Sequence, residues 1–236
     1  MAKKIIKNTL IILTRNEIQG IKALIHKIQF NTVDEAFVID YDSTDGTVEL
    51  LKKHGMRVIS QSKPGRTYAM KLAAKIAKGE NLVFLSSDGN ENPADIPKLL
   101  KMLNFCDLAI GSRFLPGGRN EEDDQLIKIR TWANRTFNFL ANVLWNRSGK
   151  YITDSTNGIR AIKKNVFNLL NIDAEGFVSE YQMTIRAMKK NLKIREIPTI
   201  EGERIGGEIG AKSIPTGILF LKYLMKEILI GKKFNV

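Results

Sequence analysis

Short apolar runs recur along the first half of this chain. Each is followed by a polar cluster and then by a helical pattern, and that rhythm restricts the fold more than any other feature. Residues 9–14 (TLIILT) have the length and apolar character of a buried strand. Residues 18–30 follow with apolar side chains at Ile21, Leu24, Ile25 and Ile28, the spacing of one helix face. Residues 36–39, 56–60, 82–85 and 108–110 read as four further strands. Helical stretches separate them: 47–54 closed by Gly55, 65–78 closed by Gly79, and 94–103 opened by Pro93. This alternation predicts an α/β domain built on a mostly parallel sheet with helices on both faces. In such sheets ligands collect beyond the carboxyl ends of the strands. The clusters Arg15-Asn16-Glu17, 40–46, 86–90 and Gly111-Ser112-Arg113 all fall there.

After Arg113 the rhythm changes. Residues 115–124 contain Pro116-Gly117-Gly118 and the acidic run Glu121-Glu122-Asp123-Asp124, which predicts a mobile loop. A long amphipathic helix is expected over 125–145, a polar glycine-containing turn over 154–160, a turn and helix over 174–190 and an edge strand over 192–198. Residues 201–213 are glycine-rich and charged. From Ile214 the tail is apolar and basic, with the spacing of an amphipathic helix too short and too charged to span a bilayer. Such a helix reads either as lying in a membrane interface or as docked on protein.

Composition narrows the partners. Lys and Arg number 37 against 25 Asp and Glu, a net charge of +12 over 236 residues, which suits an anionic partner such as a phosphorylated ligand or an anionic membrane surface. The basic residues are not interleaved with aromatics as a nucleic-acid stacking platform would require, so nucleic acid is not expected. The single cysteine, Cys106, excludes an internal disulfide framework and reads as a small buried hydrophobe. The sequence offers no convincing signal peptide or membrane span, which places the protein in the cytoplasm, peripheral at the cytoplasmic face of a membrane. Trp132 and Trp145 are expected to pack in the protein or to touch lipid. An oligomer is compatible with the sequence, which sets no oligomeric state.

Two clusters carry candidate chemistry. In 40–47 (DYDSTDGT), the carboxylates of Asp40, Asp42 and Asp45 suit hydrogen bonds to a nucleobase or ribose, but the same residues make an ordinary capped turn. In 86–93 (SSDGNENP), Asp88 and Asn90 are two hard oxygen donors suited to Mg²⁺ or Mn²⁺ bridging a diphosphate, or again a strand-to-helix turn.

The order of the pieces is more specific than any one of them. Residues 10–17 (LIILTRNE), D-x-x-STDGT at 40–47, FLxxDGNxxP at 84–93 and IGSRFxPGG at 110–118 together resemble the family 2 glycosyltransferases. The likeness is greatest to the dolichyl-phosphate mannose synthase and polyprenyl-phosphate glycosyltransferase branch. It continues through Arg135-x-x-Asn138, Asp154-x-x-x-Gly158-x-Arg160, Gly176-Phe177-x-x-Glu180 and Arg204, to about Ser213.

The resemblance implies a GT-A fold over residues 1–213, with a nucleotide-sugar half to about 113 and an acceptor half from about 114; residues 214–236 form the amphipathic tail. It implies an inverting, metal-assisted transfer of a sugar from a UDP- or GDP-linked donor to a polyprenyl phosphate. Asp88, with Asn90 and Ser86, would hold Mg²⁺ or Mn²⁺. Thr14, Glu17, Asp40, Asp42 and Ser43 would lie on the nucleotide side. Gly65, Arg66, Ser87 and Lys212 would join them there. Arg113, Arg135 and Arg204 would face phosphates, as would Arg160 if the arginines cluster. Asp154 and Glu180 would line the sugar and acceptor side, and the 114–124 loop would close over the donor. Ser86 stands where the family usually has the first Asp of Asp-x-Asp, which weakens the metal site; an Asp there would restore a second anionic oxygen. An ionised phosphate acceptor needs no strong base, whereas a sugar hydroxyl would need Asp154 or Glu180 as one. Transfer to a glycan hydroxyl and non-catalytic nucleotide-sugar binding are the alternative readings.

Overall fold

A computed structural model describes residues 6–125, 128–206 and 213–234. Seven strands form one sheet: β1 (Asn8–Thr14), β2 (Glu35–Asp40), β3 (Arg57–Ser60), β4 (Asn81–Ser86), β5 (Leu108–Ser112), β6 (Arg160–Lys163) and β7 (Ile194–Pro198). Their order is β3-β2-β1-β4-β6-β5-β7. β1 runs parallel to β2 and β4, β2 to β3, and β5 to β7; β6 is antiparallel to both β4 and β5. Six strands therefore point one way, and the mostly parallel sheet predicted from the alternation is present.

The central strands are apolar along their whole length because both faces are covered. Leu10 to Ile12 and Leu82 to Leu85 are fully buried. On one face lie α1 (Ile18–Leu24), α2 (Thr47–Lys53) and α4 (Ile96–Met102), whose Ile21, Leu24, Leu51 and Leu99 share a core with Leu10, Ile12 and Val83. On the other lie α3 (Arg66–Ile76), α5 (Ile129–Trp145), α6 (Lys164–Leu170), α7 (Ser179–Lys189) and α8 (Ser213–Ile230). Their Met70, Phe137, Phe167, Met183 and Phe220 pack with Ile11, Phe37 and Phe84. Gly20 is needed where α1 crosses the end of β4, because a Cβ there would stand 2.2 Å from the Ser87 carbonyl oxygen.

β6 and α6 are the elements that the sequence reading lacks. β6 is a short strand that opens on a charged residue, and 154–160 reads locally as one polar turn. In the fold Arg160 is fully buried. Its guanidinium donates to the carbonyls of Asn157, Ser155 and Glu180 and to Thr184 Oγ1, and burial pushes its pKa down to about 10. It therefore pins the 155–157 turn to α7 and does not face a phosphate, as the clustering of arginines had suggested.

The 114–124 loop is anchored, contrary to the expectation that its acidic run stands free. Glu122 is 3% exposed and accepts from the backbone N and Oγ1 of Thr131 at the start of α5 (2.7 and 2.9 Å), while Asn120 donates to Thr131 Oγ1. Carboxylates at a helix N-terminus satisfy its free N–H groups and dipole. Cys106 is buried, as expected. Trp132, however, is 74% exposed, whereas Trp145 is half-buried with the Lys189 ammonium 5.0 Å from its ring.

The tail is a helix, α8, and it has two faces. Phe220, Tyr223, Leu224 and Glu227 are buried against the domain, whereas Ile218, Leu221, Met225, Ile228 and Leu229 are exposed. Glu227 carries the docking. It is completely buried and accepts from Arg186 Nε (2.9 Å), Lys189 Nζ (2.6 Å) and Gln182 Nε2 (2.8 Å), all from α7. Removing one partner of a buried ion pair leaves an unpaired charge in low dielectric. Glu227→Ala takes the carboxylate from buried Lys189 and leaves Arg186 with Asp173 as its remaining acid, and should lower the unfolding free energy by about 3–5 kcal/mol, read by chemical denaturation. A loss near that of an exposed α8 substitution such as Leu221→Ala would show that Glu227 does not hold the helix.

Candidate active site

The carboxyl ends of β1, β2, β4 and β5 meet at one edge of the sheet. Because β6 runs the opposite way, the turn that precedes it also arrives there, and the 154–158 segment joins the site for that reason. Two clefts open at this edge.

The first, about 550 Å³, is lined by the ends of β1 and β2, Gln61 just after β3, the start of α3, Ser86 to Asp88, Phe177 and Arg204. The second, about 300 Å³, lies between the 86–91 loop, the start of α5, the 156–158 turn, Glu180, Glu201 and the start of α8. Arg66, Ser86, Asp88, Phe177 and Arg204 line both and mark their junction.

Three arginine-centred chains converge on the 86–91 loop. Arg204 bonds Glu17 and, at 3.2 Å, Asp88 Oδ2. Arg66 bonds Glu180 and reaches Ser86 Oγ at 3.3 Å. Arg113 grips Asp154 through Nε and Nη2 (2.7 and 3.0 Å) and Glu201 through Nη1 (2.8 Å); Glu201 in turn accepts from Asn90 Nδ2 (3.1 Å). The strap 202–205 closes over the loop through backbone bonds from Gly202 N to Asn90 O and from Ile205 N to Asp88 O.

Acid predominates here, and the acids show it. Burial pushes Glu17 up, Arg204 offsets part of that, and Asp88 adds to it. Glu201 is raised by burial against the pull of Arg113. Glu91 is 6% exposed, and burial together with the nearby Asp88 pushes its carboxyl up to about 8. Asp154 goes the other way: burial alone would raise it, but Arg113 holds it below the usual carboxylate range.

Several buried acceptor atoms at this edge have no partner among the described residues: Thr14 Oγ1, Glu17 Oε2, Asp88 Oδ1, Asn90 Oδ1 and Asn157 Oδ1. Buried polar atoms are ordinarily satisfied. A row of unpartnered oxygens asks for a cation or for hydroxyl donors. Asp88 Oδ1 and Asn90 Oδ1, a carboxylate and an amide oxygen, fit a hard divalent cation that takes its remaining ligands from phosphate oxygens and water. No group of three or more acidic, His or Cys side chains able to hold a metal occurs among the described residues, so the protein offers part of a coordination shell.

The predicted site residues divide accordingly. Thr14, Glu17, Gly65, Arg66, Ser87, Asp88 and Arg204 line the first cleft. Asn90, Arg113 and Glu180 line the second. Asp40, Asp42 and Ser43 line neither. Asp40 is 2% exposed and accepts from Ser43 N and Oγ, and Tyr41, with Arg15 stacked 5.0 Å from its ring, lines the cleft wall beside it. Asp42 is exposed with a φ of 50°. Asp154 is buried behind Arg113 and outside both clefts. Arg135 is exposed, its guanidinium 5.3 Å from the Phe114 ring, and Arg130, bonded to Glu121 and Glu122, lines the second cleft in its place. Lys212 lies outside the described residues. The 114–124 loop contributes Asn120 and Glu121 to the second cleft and nothing to the first.

Ser86 is not a free metal ligand. Its backbone N and Oγ donate to Glu91 (2.7 and 3.2 Å), and Glu91 is a site residue that the sequence reading missed. The signal for it was present, since it is the second carboxylate of the 86–93 cluster. A Cβ on Gly158 would stand 2.3 Å from Glu91 Oε1, which fixes glycine there. An Asp at 86 would face this carboxylate at close range.

Glu91 also sets a pH dependence. Its pKa rises from 4.5 unfolded to about 8 folded, so between those values the folded state holds the extra proton and stability falls as pH rises. In metal-free protein, Glu91→Gln should match the parent near pH 5 and be the more stable of the two above about pH 8, by up to a few kcal/mol. Parallel stability–pH curves would refute this.

The comparisons with known proteins follow the same lines. Residues 9–167 match the family model described as Glycosyl transferase family 2. The chain is 27% identical over 223 residues to the undecaprenyl-phosphate mannosyltransferase of Micrococcus luteus, covering 89% of this chain and 88% of that protein. It is 28% identical over 216 residues to the polyprenol monophosphomannose synthase of Mycolicibacterium smegmatis (84% and 78%). It is 30% identical over 217 residues to the dolichol-phosphate mannosyltransferase of Pyrococcus furiosus (86% and 58%). Among solved structures, the glucosyl-3-phosphoglycerate synthase of Mycobacterium tuberculosis, crystallised with Mn²⁺, UDP and phosphoglyceric acid, superposes with a TM-score of 0.71 at 20% identity, covering 95% of this chain and 78% of that one. The fold is GT-A-like.

Proposed function

The chain belongs to glycosyl transferase family 2, and from that premise we propose that it transfers a sugar, with inversion, from a nucleotide-sugar donor to a polyprenyl phosphate. The observation that carries the reading is the pair of clefts meeting at Asp88, Arg66 and Arg204. The first cleft, drawn mainly from residues before 114, takes the nucleoside diphosphate. The second, drawn largely from residues after 114, takes the acceptor. The names of the relatives, which specify undecaprenyl, polyprenol and dolichol phosphates, support that acceptor class.

A phosphate acceptor is already ionised near neutral pH and needs orientation and charge screening more than a base. That agrees with the state of the two carboxylates the sequence offers as bases, since Asp154 is locked to Arg113 and Glu180 to Arg66. Arg130 and Arg113 line the acceptor cleft, where guanidinium forks suit phosphate oxygens. Asp88 and Asn90 would hold Mg²⁺ or Mn²⁺, which supplies charge neutralisation to the departing diphosphate. Arg204 would turn from Asp88 toward the phosphates.

No helix of the described residues is long and apolar enough to cross a membrane. A polyprenyl phosphate stays in the bilayer, so the protein must reach its surface. Exposed Ile218, Leu221, Met225 and Leu229 on α8, with Ile129 and Trp132 beside the mouth of the second cleft, support peripheral docking there. Lys222 and Lys226 are engaged with Glu175 and Asp173, whereas Lys232 and Lys233, just past the end of α8, are exposed.

A panel of UDP- and GDP-sugars with polyprenyl phosphate, with and without Mn²⁺ and read for lipid-linked product, tests the reading. Asp88→Ala should lower turnover on the order of a hundredfold or more, and Asn90→Ala should lower it less. Full turnover by folded Asp88→Ala would remove Asp88 from the site. Met225→Glu with Leu229→Glu should reduce co-sedimentation with anionic vesicles while leaving the fold intact, because both side chains are exposed. Unchanged co-sedimentation would mean that α8 is not the docking face.

A further inference from the structure

Among the unpartnered oxygens of the site, Asn157 Oδ1 is the one on a nearly fully buried side chain at the acceptor end. Asn157 is 2% exposed. Its amide orientation is set by its surroundings, since Nδ2 donates to the Gly111 carbonyl at 2.7 Å. Its backbone N donates to Asp154 Oδ1 at 3.2 Å, which Arg113 holds in place. The residue is therefore held in place; it lines the second cleft, and its carbonyl oxygen has no donor among the described residues.

An unpaired buried acceptor costs about 1–3 kcal/mol, which a ligand that brings a donor recovers. The ligands expected here differ sharply in what they bring. A diphosphate and an ionised polyprenyl phosphate present acceptor oxygens only. A ribose lies with its base in the first cleft, which Asn157 does not line. The transferred sugar is the ligand between the two clefts that carries hydroxyl donors. The wall around Asn157 suits such donors, because the Glu180 carboxylate also lines it. Gly158, without a side chain, lets the Glu91 carboxyl close against the wall beside them.

We propose that Asn157 Oδ1 accepts a hydrogen bond from a hydroxyl of the transferred sugar, and that it selects hexosyl donors carrying a hydroxyl at that position. The proposal rests on the glycosyl-transfer reading above and adds to it a specificity-determining residue. A site built to bond a hydroxyl rejects the analogue that lacks it, because its own acceptor is then left unpaired.

The test uses the full chain, the accepted nucleotide sugar and its monodeoxy analogues, with one sugar hydroxyl removed at a time. On the parent enzyme, one analogue should lose about 10- to 100-fold in kcat/KM. Asn157→Ala should lose a similar factor with the intact donor and then discriminate little against that analogue. The bare nucleoside diphosphate with Mn²⁺, measured by calorimetry, should bind both proteins within about twofold. The proposal is overturned if no analogue is treated differently by Asn157→Ala and the parent. It is also overturned if Asn157→Ala weakens the bare nucleoside diphosphate as much as the sugar nucleotide. Calorimetry with the intact and monodeoxy nucleotide sugars reads the same contact without turnover. Failure of transfer to polyprenyl phosphate alone would count against the acceptor assignment and leave this contact still measured.

Discussion

The site depends on guanidinium groups reaching acids that would otherwise repel one another. Glu17, Asp88, Glu91, Asp154, Glu180 and Glu201 gather at one edge of the sheet, and Arg66, Arg113 and Arg204 face them. Each arginine comes from a different part of the chain: the start of α3, the end of β5 and the strap after β7. Each ties that part to the 86–91 loop, directly or through Asn90. Breaking a buried pair of this kind leaves an uncompensated charge, so the loop and its surroundings hold or fail together. The acid still exceeds the cation, and burial raises Glu17, Glu91 and Glu201 with only partial relief from the arginines. Such a site favours any ligand set that brings positive charge or hydrogen-bond donors.

The single antiparallel strand gives this arrangement its second half. If β6 ran with its neighbours, the 154–158 turn would lie at the far edge of the sheet. Its reversed direction sets Asp154, Asn157 and Gly158 beside the 86–91 loop, and buried Arg160 fixes the turn to α7. α7 in turn presents Glu180 to Arg66 at its first turn, and holds α8 through Arg186 and Lys189 on Glu227 at its last. The apolar outer face of α8 is thus rigidly placed relative to the second cleft. Under the membrane docking proposed above, such a link would bring the acceptor to the cleft at a fixed depth and angle.

The residues differ in how openly they announced themselves. Asp88, Asn90, Glu17 and Arg204 were legible because they stand at strand ends or in ordered motifs. Asp40 looked equally informative; its carboxylate accepts from Ser43, and the choice between turn and ligand is one that spacing cannot make. Glu91 was hidden by the opposite effect: a solvent-like residue in a polar run became a buried acid only when β6 and α7 closed over it. Arg135 and Arg130 sit five positions apart at the start of one helix, and only the packing of Phe114 decides which of them faces the cleft.

The sequence by itself determined the alternation of strand and helix, the family order of the motifs, and the position of the polar clusters at the carboxyl ends of the strands. These are local properties, fixed by apolar periodicity and by turn-forming residues. Only the tertiary structure decided which acids are ionised and locked, as Asp154 is, and which are buried and raised, as Glu91 is. It also decided that Arg160 supports a turn, that the 114–124 loop is anchored, and that α8 docks by one face while leaving the other apolar face exposed. Each of these depends on desolvation and on charges brought together from distant parts of the chain, and neither quantity exists until the strands have been assembled into the sheet.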